Sequence, residues 1–389
     1  MKIFLRWQWE ISEIMLRFAE DLQNRYFMHK NRLIRALAAG AVAGAAVSCG
    51  TAPTDYILVC GTYTDTDSHG IYSVLFSGSD GSLSIIDSVH AVNPSYVAIA
   101  PDGRHVYAVG ESGGNSCVYT VDYDAASGHF GNVERIDSVG ADPCFIAIAG
   151  KQIVTADYSG GSVSVFDLNA DGKIAGRSRC DLFTGCGADS VRQASPHIHC
   201  TMPSPDGRIM LVSDLGTDRL YRYAIGAEGA TLTDTMQLAP GFGPRHIAFA
   251  ADGKMCYVIG ELSGDVAVID VDSLTVKQTV TCDTLHVRGS GDIHLSHDGR
   301  FLYASNRLEG DGIRVFAIDA HGLLTDVQYQ PTGKHPRNFF ITPCDRYLLV
   351  AARDDNSITV YSRDIASGRL TATGKTLHLP HPVCITTIR

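Results

Sequence analysis

The chain has 389 residues, 45% of them hydrophobic and 19% charged, with a formal net charge of −10. So acidic a balance excludes general nucleic-acid binding, which needs a basic surface. No low-complexity linker is visible, glycine is abundant, and strand-forming residues come in short runs.

Met1 to Phe27 mixes charged and aromatic residues and resembles nothing further on. From Met28 the text runs HKNRLIR, then an apolar stretch from Ala36 to Ser48, then Cys49. A basic region, a short apolar region and small residues before a cleavage point read as a secretory signal. The apolar run is shorter than the ~20 residues a spanning helix needs, and nothing after Cys49 is long enough either. Ala46-Val47-Ser48-Cys49 resembles a bacterial lipoprotein processing site, with Ala where Leu is usual. On this reading Cys49 is the lipidated first residue of an exported, membrane-anchored protein, and Met28 fits the true start better than Met1. The alternatives are an N-terminal helix and a cytoplasmic location. The expected organisation is therefore an extension with signal over 1–48 and a single domain over 49–389.

That domain is repetitive. PSYVAIAPDGRHVYAVGES begins at Pro94, PCFIAIAGKQIVTADYSGGSVSVFDL at Pro143, and PHIHCTMPSPDGRIMLVSDLGTDRLYRYAI at Pro196. Further copies begin at Pro244, Gly291 and Pro336. A period of roughly 46 to 53 residues, with about four strands per unit, signals propeller blades. Each unit reads as a first strand after the proline, a tight turn, a second strand, then a third and a fourth. Asp-Gly at 102–103, 206–207, 252–253 and 298–299 predicts two-residue hairpins in which both central residues accept positive φ. Pro382 to Thr386 is a first strand with nothing after it, whereas Tyr56 to Val92 holds three strands with no first strand. Joined, they complete a blade. The expected fold is all-β: a seven-bladed propeller of four-stranded antiparallel blades, closed by the C-terminal strand, which removes the exposed edges of an open array.

The repeat also compares its own positions. The residue after the blade-opening proline is Ser95, Cys144, His197, Arg245, Arg337 or Val383. First strands line a propeller's channel, so His197, Arg245 and Arg337 are candidates facing it. His199 lies two residues beyond His197 and points to the same side. A second register, eight residues after the turn glycine or its equivalent, holds Glu111, Leu215, Glu261, Arg307 and Arg353. Asp157, Asp214 and Asn306, one residue earlier, read as loop caps. Gly110 to Gly114 fits G-x-S-x-G, but a nucleophile elbow needs a strand–turn–helix setting that a blade loop does not offer. His294 and His297 flank a turn and are not expected to bind metal. No CxxC pair occurs among the eleven cysteines; Cys180 and Cys186 are the closest pair for a bridge, against a reading of free buried thiols.

The motifs GTYTDTDSHGIYSVLF, NPSYVAIAPDGRHVYAVGE, PHIHCTMPSPDGRIMLVSDLGTDRLYRY, GPRHIAFAADGKMCYVIGEL, HLSHDGRFLYASNR and HPRNFFITPCDRYLLVA resemble the lactonase family of seven-bladed propellers. Its members include bacterial 6-phosphogluconolactonase and the fungal carboxy-muconate cycloisomerase. The resemblance covers Tyr56 to Ile388, and the WD40 alternative lacks its Gly-His and Trp-Asp marks. It implies an active site of His, Arg, Glu and Arg. By motif these are His197 and Arg245 with Glu261, together with Arg307 or Arg337, and His199 beside them as a substrate contact. The implied activity is hydrolysis of a sugar-derived lactone, with Glu261 or His197 activating water and arginines holding anionic groups. No cofactor or metal is implied. The expected partner is a small anionic sugar lactone or sugar acid, and the membrane is met only through the lipid anchor. Alternatives are a lactone-forming cycloisomerase and a propeller that binds carbohydrate or protein without catalysis.

Overall fold

The computed structural model describes residues 54–137, 139–226 and 229–388; the calls on Met1, Met28 and Cys49 lie outside the described residues. Twenty-eight strands form seven four-stranded sheets, each antiparallel throughout. Blades 2 to 7 occupy 97–136, 143–182, 198–237, 244–281, 290–331 and 336–378 in chain order. Blade 1 is the composite: Pro382–Thr387 pairs with Tyr56–Thr62, followed by Gly70–Phe76 and Leu83–His90. Leu58 faces Thr387 and Cys60 faces Ile385 across this seam. The strand deficits at the two chain ends thus complement each other as the sequence predicts.

Second and third strands such as HVYAVG and CVYTVDYD are buried almost throughout, because both of their faces are covered by neighbouring blades. Fourth strands such as HFGNVERI alternate toward solvent at the rim. The cores accordingly lie between blades. Leu58, Val74 and Phe76 of blade 1 pack with Leu349, Ile358 and Val360 of blade 7. Among the described residues the helical content is three short 3₁₀ turns, one of them Gly113–Asn115 in the G-x-S-x-G stretch.

The Asp-Gly turns differ from expectation. Only the glycine takes positive φ (Gly103 70°, Gly207 67°, Gly253 71°, Gly299 69°), while the aspartates remain on the ordinary side. In blade 2, Gly103 N–H donates to the Ala100 carbonyl and Ala100 N–H to that of His105, closing a four-residue loop instead of a two-residue one. Each aspartate serves by its side chain: Asp102 Oδ1 accepts from Arg104 N–H, and Asp206, Asp252 and Asp298 repeat the contact. In blade 7 Asp345 itself occupies the left-handed position at φ 59°.

Candidate active site

Seven first strands side by side place equivalent residues in rings around the channel. The pairing corrects one register. Pro143 faces Asp157, Pro244 faces Gly260 and Pro336 faces Ala352, but in blade 4 it is Ile198, not Pro196, that faces Asp214. The residue level with Arg245 is therefore His199, and the inner ring reads Val383, Ser95, Cys144, His199, Arg245, Gly291 and Arg337. Two extra residues cause the shift, since Pro196 precedes its turn glycine by eleven positions where Pro94 and Pro244 precede theirs by nine. His197 lies just before the strand. Its backbone N–H donates to Asp214 Oδ1 at 2.8 Å, and its carbonyl accepts from Leu215 N–H.

One layer deeper stand Tyr96, Phe145, His246 and Asp292. The Tyr96 ring lies 4.2 Å from Phe145 and 5.8 Å from His246, and Phe145 lies 5.4 Å from His246. These rings, from blades 2, 3 and 5, meet across the middle of the channel.

The second register supplies the wall. Besides Glu111, Leu215, Glu261, Arg307 and Arg353 it contains Tyr63 and Tyr158, which hold the same place in blades 1 and 3. Glu261 is the centre of charge. Its Oε2 meets Arg245 Nε at 2.9 Å and Arg307 Nη2 at 3.0 Å, and its Oε1 meets Arg192 Nη2 at 2.5 Å. Burial alone would raise this carboxyl, but Arg307, Arg245 and Arg192 outweigh it and pull it down to about 2. Burial and the neighbouring arginines also bring the Arg307 guanidinium down to about 9 despite Glu261. Gly291 leaves room here: a Cβ would stand 2.7 Å from Ser305 Oγ and 3.4 Å from Arg307 Cδ, and its carbonyl accepts from Arg245 Nη1.

Arg245 is held further by His246, whose Nδ1 lies 2.6 Å from Asp292 Oδ1 and whose Nε2 lies 3.2 Å from Arg245 Nη1. The carboxylate accepts from Nδ1–H, so Nε2 carries the lone pair and accepts from the arginine. With Nε and Nη1 so engaged, Arg245 Nη2 makes no hydrogen bond to the protein among the described residues. Burial, then Arg245, pushes His246 down to about 4, and burial pushes His199 well below the usual imidazole range.

Arg337 stands across the pocket, its guanidinium 5.3 Å above the Tyr63 ring, with no carboxylate within ion-pair distance among the described residues. Tyr63 donates to Glu111 Oε2 at 2.9 Å. His197 stacks on Tyr158 at 4.4 Å with 11° between planes, and its Nδ1 is 3.0 Å from the Tyr158 carbonyl. A carbonyl only accepts, so Nδ1 carries the proton and Nε2 the lone pair. The structure thus brings Arg245, Glu261 and Arg307 into direct contact. His199 lies beside them against His246, with ring centroids 5.3 Å apart. His197 is joined to them through Tyr158, and Arg337 faces them from blade 7. Sequence reasoning missed Tyr158, which lies eight residues after Gly150, and Tyr63, which follows the strand that pairs with the C-terminal one. It also missed His246 and Asp292, one position deeper than the residues compared, and Arg192, which belongs to no repeat.

Asp157, Asp214 and Asn306 cap loops: Asp157 accepts from the Thr155, Ser162 and Ser164 hydroxyls, and Asp214 from Gly216 N–H and Thr217. Among the described residues no group of His, Cys, Asp and Glu is placed to hold a metal ion, and all ten described cysteines, Cys180 and Cys186 included, are free. A cavity of about 580 Å³ lined by Arg104, Asp122, His129 and Lys173 of blades 2 and 3 contains none of these site residues.

Two predictions arise here. Glu261→Ala strands buried guanidinium groups, Arg245 and Arg307 having side chains only 2% and 7% exposed. Removing one partner of a buried ion pair costs about 3–5 kcal/mol, to be read as a lowered urea midpoint. The second concerns acid. His199, His246 and His335 have folded pKa values below the unfolded 6.5, so their stabilisation is whole above pH 6.5 and is lost as pH falls. Burial pushes the Asp157 carboxyl up to about 6, so its contribution runs oppositely and grows as pH falls from 6 toward 4. The groups with depressed folded values outnumber it, so a net loss of stability is expected as pH falls from 6 to 4, measurable by urea titration at several pH values; a flat profile there contradicts it.

A closed seven-bladed propeller with arginines clustered on a carboxylate at its first and second strands defines the class of protein. Residues 57–387 match the family described as lactonase, 7-bladed beta-propeller, and the chain belongs to that family. It is 35% identical over 211 residues to a 6-phosphogluconolactonase of Formosa agariphila, an alignment covering 51% of this chain and 60% of that protein. The crystal structure of a Bacteroides fragilis protein assigned as a candidate 6-phosphogluconolactonase is 41% identical, covering 87% of this chain and 99% of that one, with a TM-score of 0.84. The periplasmic gluconolactonase of Pseudomonas aeruginosa is 31% identical over 86% of this chain and 99% of its own, with a TM-score of 0.82.

Proposed function

We propose that the protein hydrolyses a sugar-derived lactone bearing an anionic group, in the manner the names of its relatives suggest. The observation that carries this reading is the pocket's charge: Arg192, Arg245, Arg307 and Arg337 converge with one ion-paired carboxylate, Glu261, in a protein of net charge −10. Such an inversion of local against global charge suits an anionic small ligand. Arg337, with no carboxylate within ion-pair distance among the described residues, suits the ligand's fixed anionic group, for which its planar fork offers paired donors.

His197 is the base. Glu261, held at about 2 by its arginines, is too weak a base for the task at neutral pH and acts as their counter-ion. Water gives a proton to His197 Nε2 as its oxygen bonds to the lactone carbonyl carbon, and the carbonyl oxygen becomes an oxyanion beside Arg245 Nη2. On collapse the ring C–O bond breaks, the leaving alkoxide takes the proton back from His197, and the open hydroxy acid remains.

The test is acid release from a panel of phosphorylated and unphosphorylated sugar lactones, with calorimetric binding of the matching acids. Turnover supports the reading; binding of an acid with no turnover across the panel identifies a sugar-acid-binding propeller instead. We also propose that Cys49 carries lipid outside the cytoplasm. Cys49→Ser is expected to move the protein from the membrane to the soluble fraction, and unchanged fractionation refutes it.

A further inference from the structure

Six of the seven connections between blades are short, while the one from Leu182 to Ile198 is the longest among the described residues. Long loops in otherwise regular folds commonly carry function. This loop is built to present one side chain. Gln193 is fully buried; its Nε2 donates to the Leu215 carbonyl and to Asp218 Oδ1, and its Oε1 accepts from Asp189 N–H. Asp189 Oδ1 accepts the N–H groups of Val191 and Arg192, and its Oδ2 meets Arg288 at 2.5 Å. The backbone of Arg192 is therefore fixed, and its guanidinium reaches Glu261 Oε1 and, at 3.2 Å, the Tyr158 hydroxyl.

Of the three cations on Glu261, Arg192 alone is well exposed, at 40% of its side chain against 2% and 7% for Arg245 and Arg307. Glu261 keeps two buried partners without it. Arg192 also touches the ring on which His197 stacks, so it borders the place where a water activated by His197 meets a carbonyl.

We propose that Arg192 is a catalytic residue that turns from Glu261 Oε1 to the carbonyl oxygen as that oxygen gains negative charge, and that it then holds the product carboxylate. This rests on the lactonase reading above. The neutral carbonyl of the substrate competes poorly with a carboxylate for a guanidinium, whereas an oxyanion competes well, so the contact strengthens along the reaction and acts on kcat more than on KM.

The experiment compares parent, Arg192→Gln and Arg192→Lys protein on the lactone turned over fastest, and measures calorimetric binding of the sugar acid it yields. Loss of one oxyanion donor typically costs ~10²- to 10³-fold in kcat. Arg192→Gln is expected to show such a loss with KM within about threefold, and to bind the acid about tenfold more weakly, or ~1.4 kcal/mol. Arg192→Lys, which keeps charge without the fork, is expected to recover at least about tenfold of the rate. The proposal is overturned when Arg192→Gln keeps kcat within threefold, when Lys is no better than Gln, or when acid affinity is unmoved. A parent that turns over no lactone refutes the lactonase reading itself; acid affinity that still depends on Arg192 then marks a binding arm and not a catalytic one.

Discussion

A chain ending at His381 is expected to yield no folded monomer. The missing strand pairs with Leu58 to Thr62, with one bulge at Val383, and places Val383, Cys384 and Ile385 in the interior at 2 to 4% exposure. Burying a valine or isoleucine side chain contributes about 1.5–3 kcal/mol each. Its backbone also serves the channel, since Ile385 N–H donates to Asn338 Oδ1 of the adjoining blade. Without it Tyr56–Thr62 becomes a long apolar edge, a template for association with other chains. The summed loss approaches a typical net stability of about 5–15 kcal/mol. Circular dichroism and sedimentation of the shortened protein check this, and a cooperative transition at the parent midpoint contradicts it. A permuted chain that starts at Pro382, continues through residue 389 and a flexible linker to Thr54, and ends at His381 is expected to fold, because it restores the pairing.

His197→Asn is expected to lower kcat on the preferred lactone by about 10²- to 10⁴-fold, the usual contribution of a general base. The asparagine amide cannot accept a proton at neutral pH. The backbone bond from residue 197 to Asp214 Oδ1 does not depend on the side chain, and the imidazole is partly exposed, so the fold survives. The matching urea midpoint and unchanged binding of the sugar acid are the controls. A well-folded variant with parent kcat shifts the base elsewhere.

The ring was legible because it repeats: the missing first strand at one end and the orphan strand at the other are visible in plain text. Residues that occupy a repeat register with an unusual side chain, Arg245, Glu261, Arg307 and Arg337, were legible for the same reason. What escaped was offset from the repeat. The two additional residues before Ile198 moved His199, not His197, into the ring, and counting back from Gly207 instead of forward from Pro196 reveals it. His246 and Asp292 were hidden because a buried histidine and its carboxylate read as ordinary strand residues until their 2.6 Å contact is seen. Arg192 sits in a loop with no counterpart in other blades, and only the folded chain brings it to Glu261, 69 positions away. The Asp-Gly turns were located correctly, but their geometry depends on loop length, which the dipeptide alone does not set.

The cluster of Tyr96, Phe145 and His246 lies one layer below the arginines, so in the proposed hydrolysis substrate and product share the side above it. A lactone and the acid formed from it would then compete for the same approach. The acid would carry one more negative charge than its lactone and would leave past Arg192 and Arg337, whose charge attracts it. Under the proposed reaction the acid is then expected to inhibit its own formation competitively, and added salt, by screening that attraction, to hasten its exit.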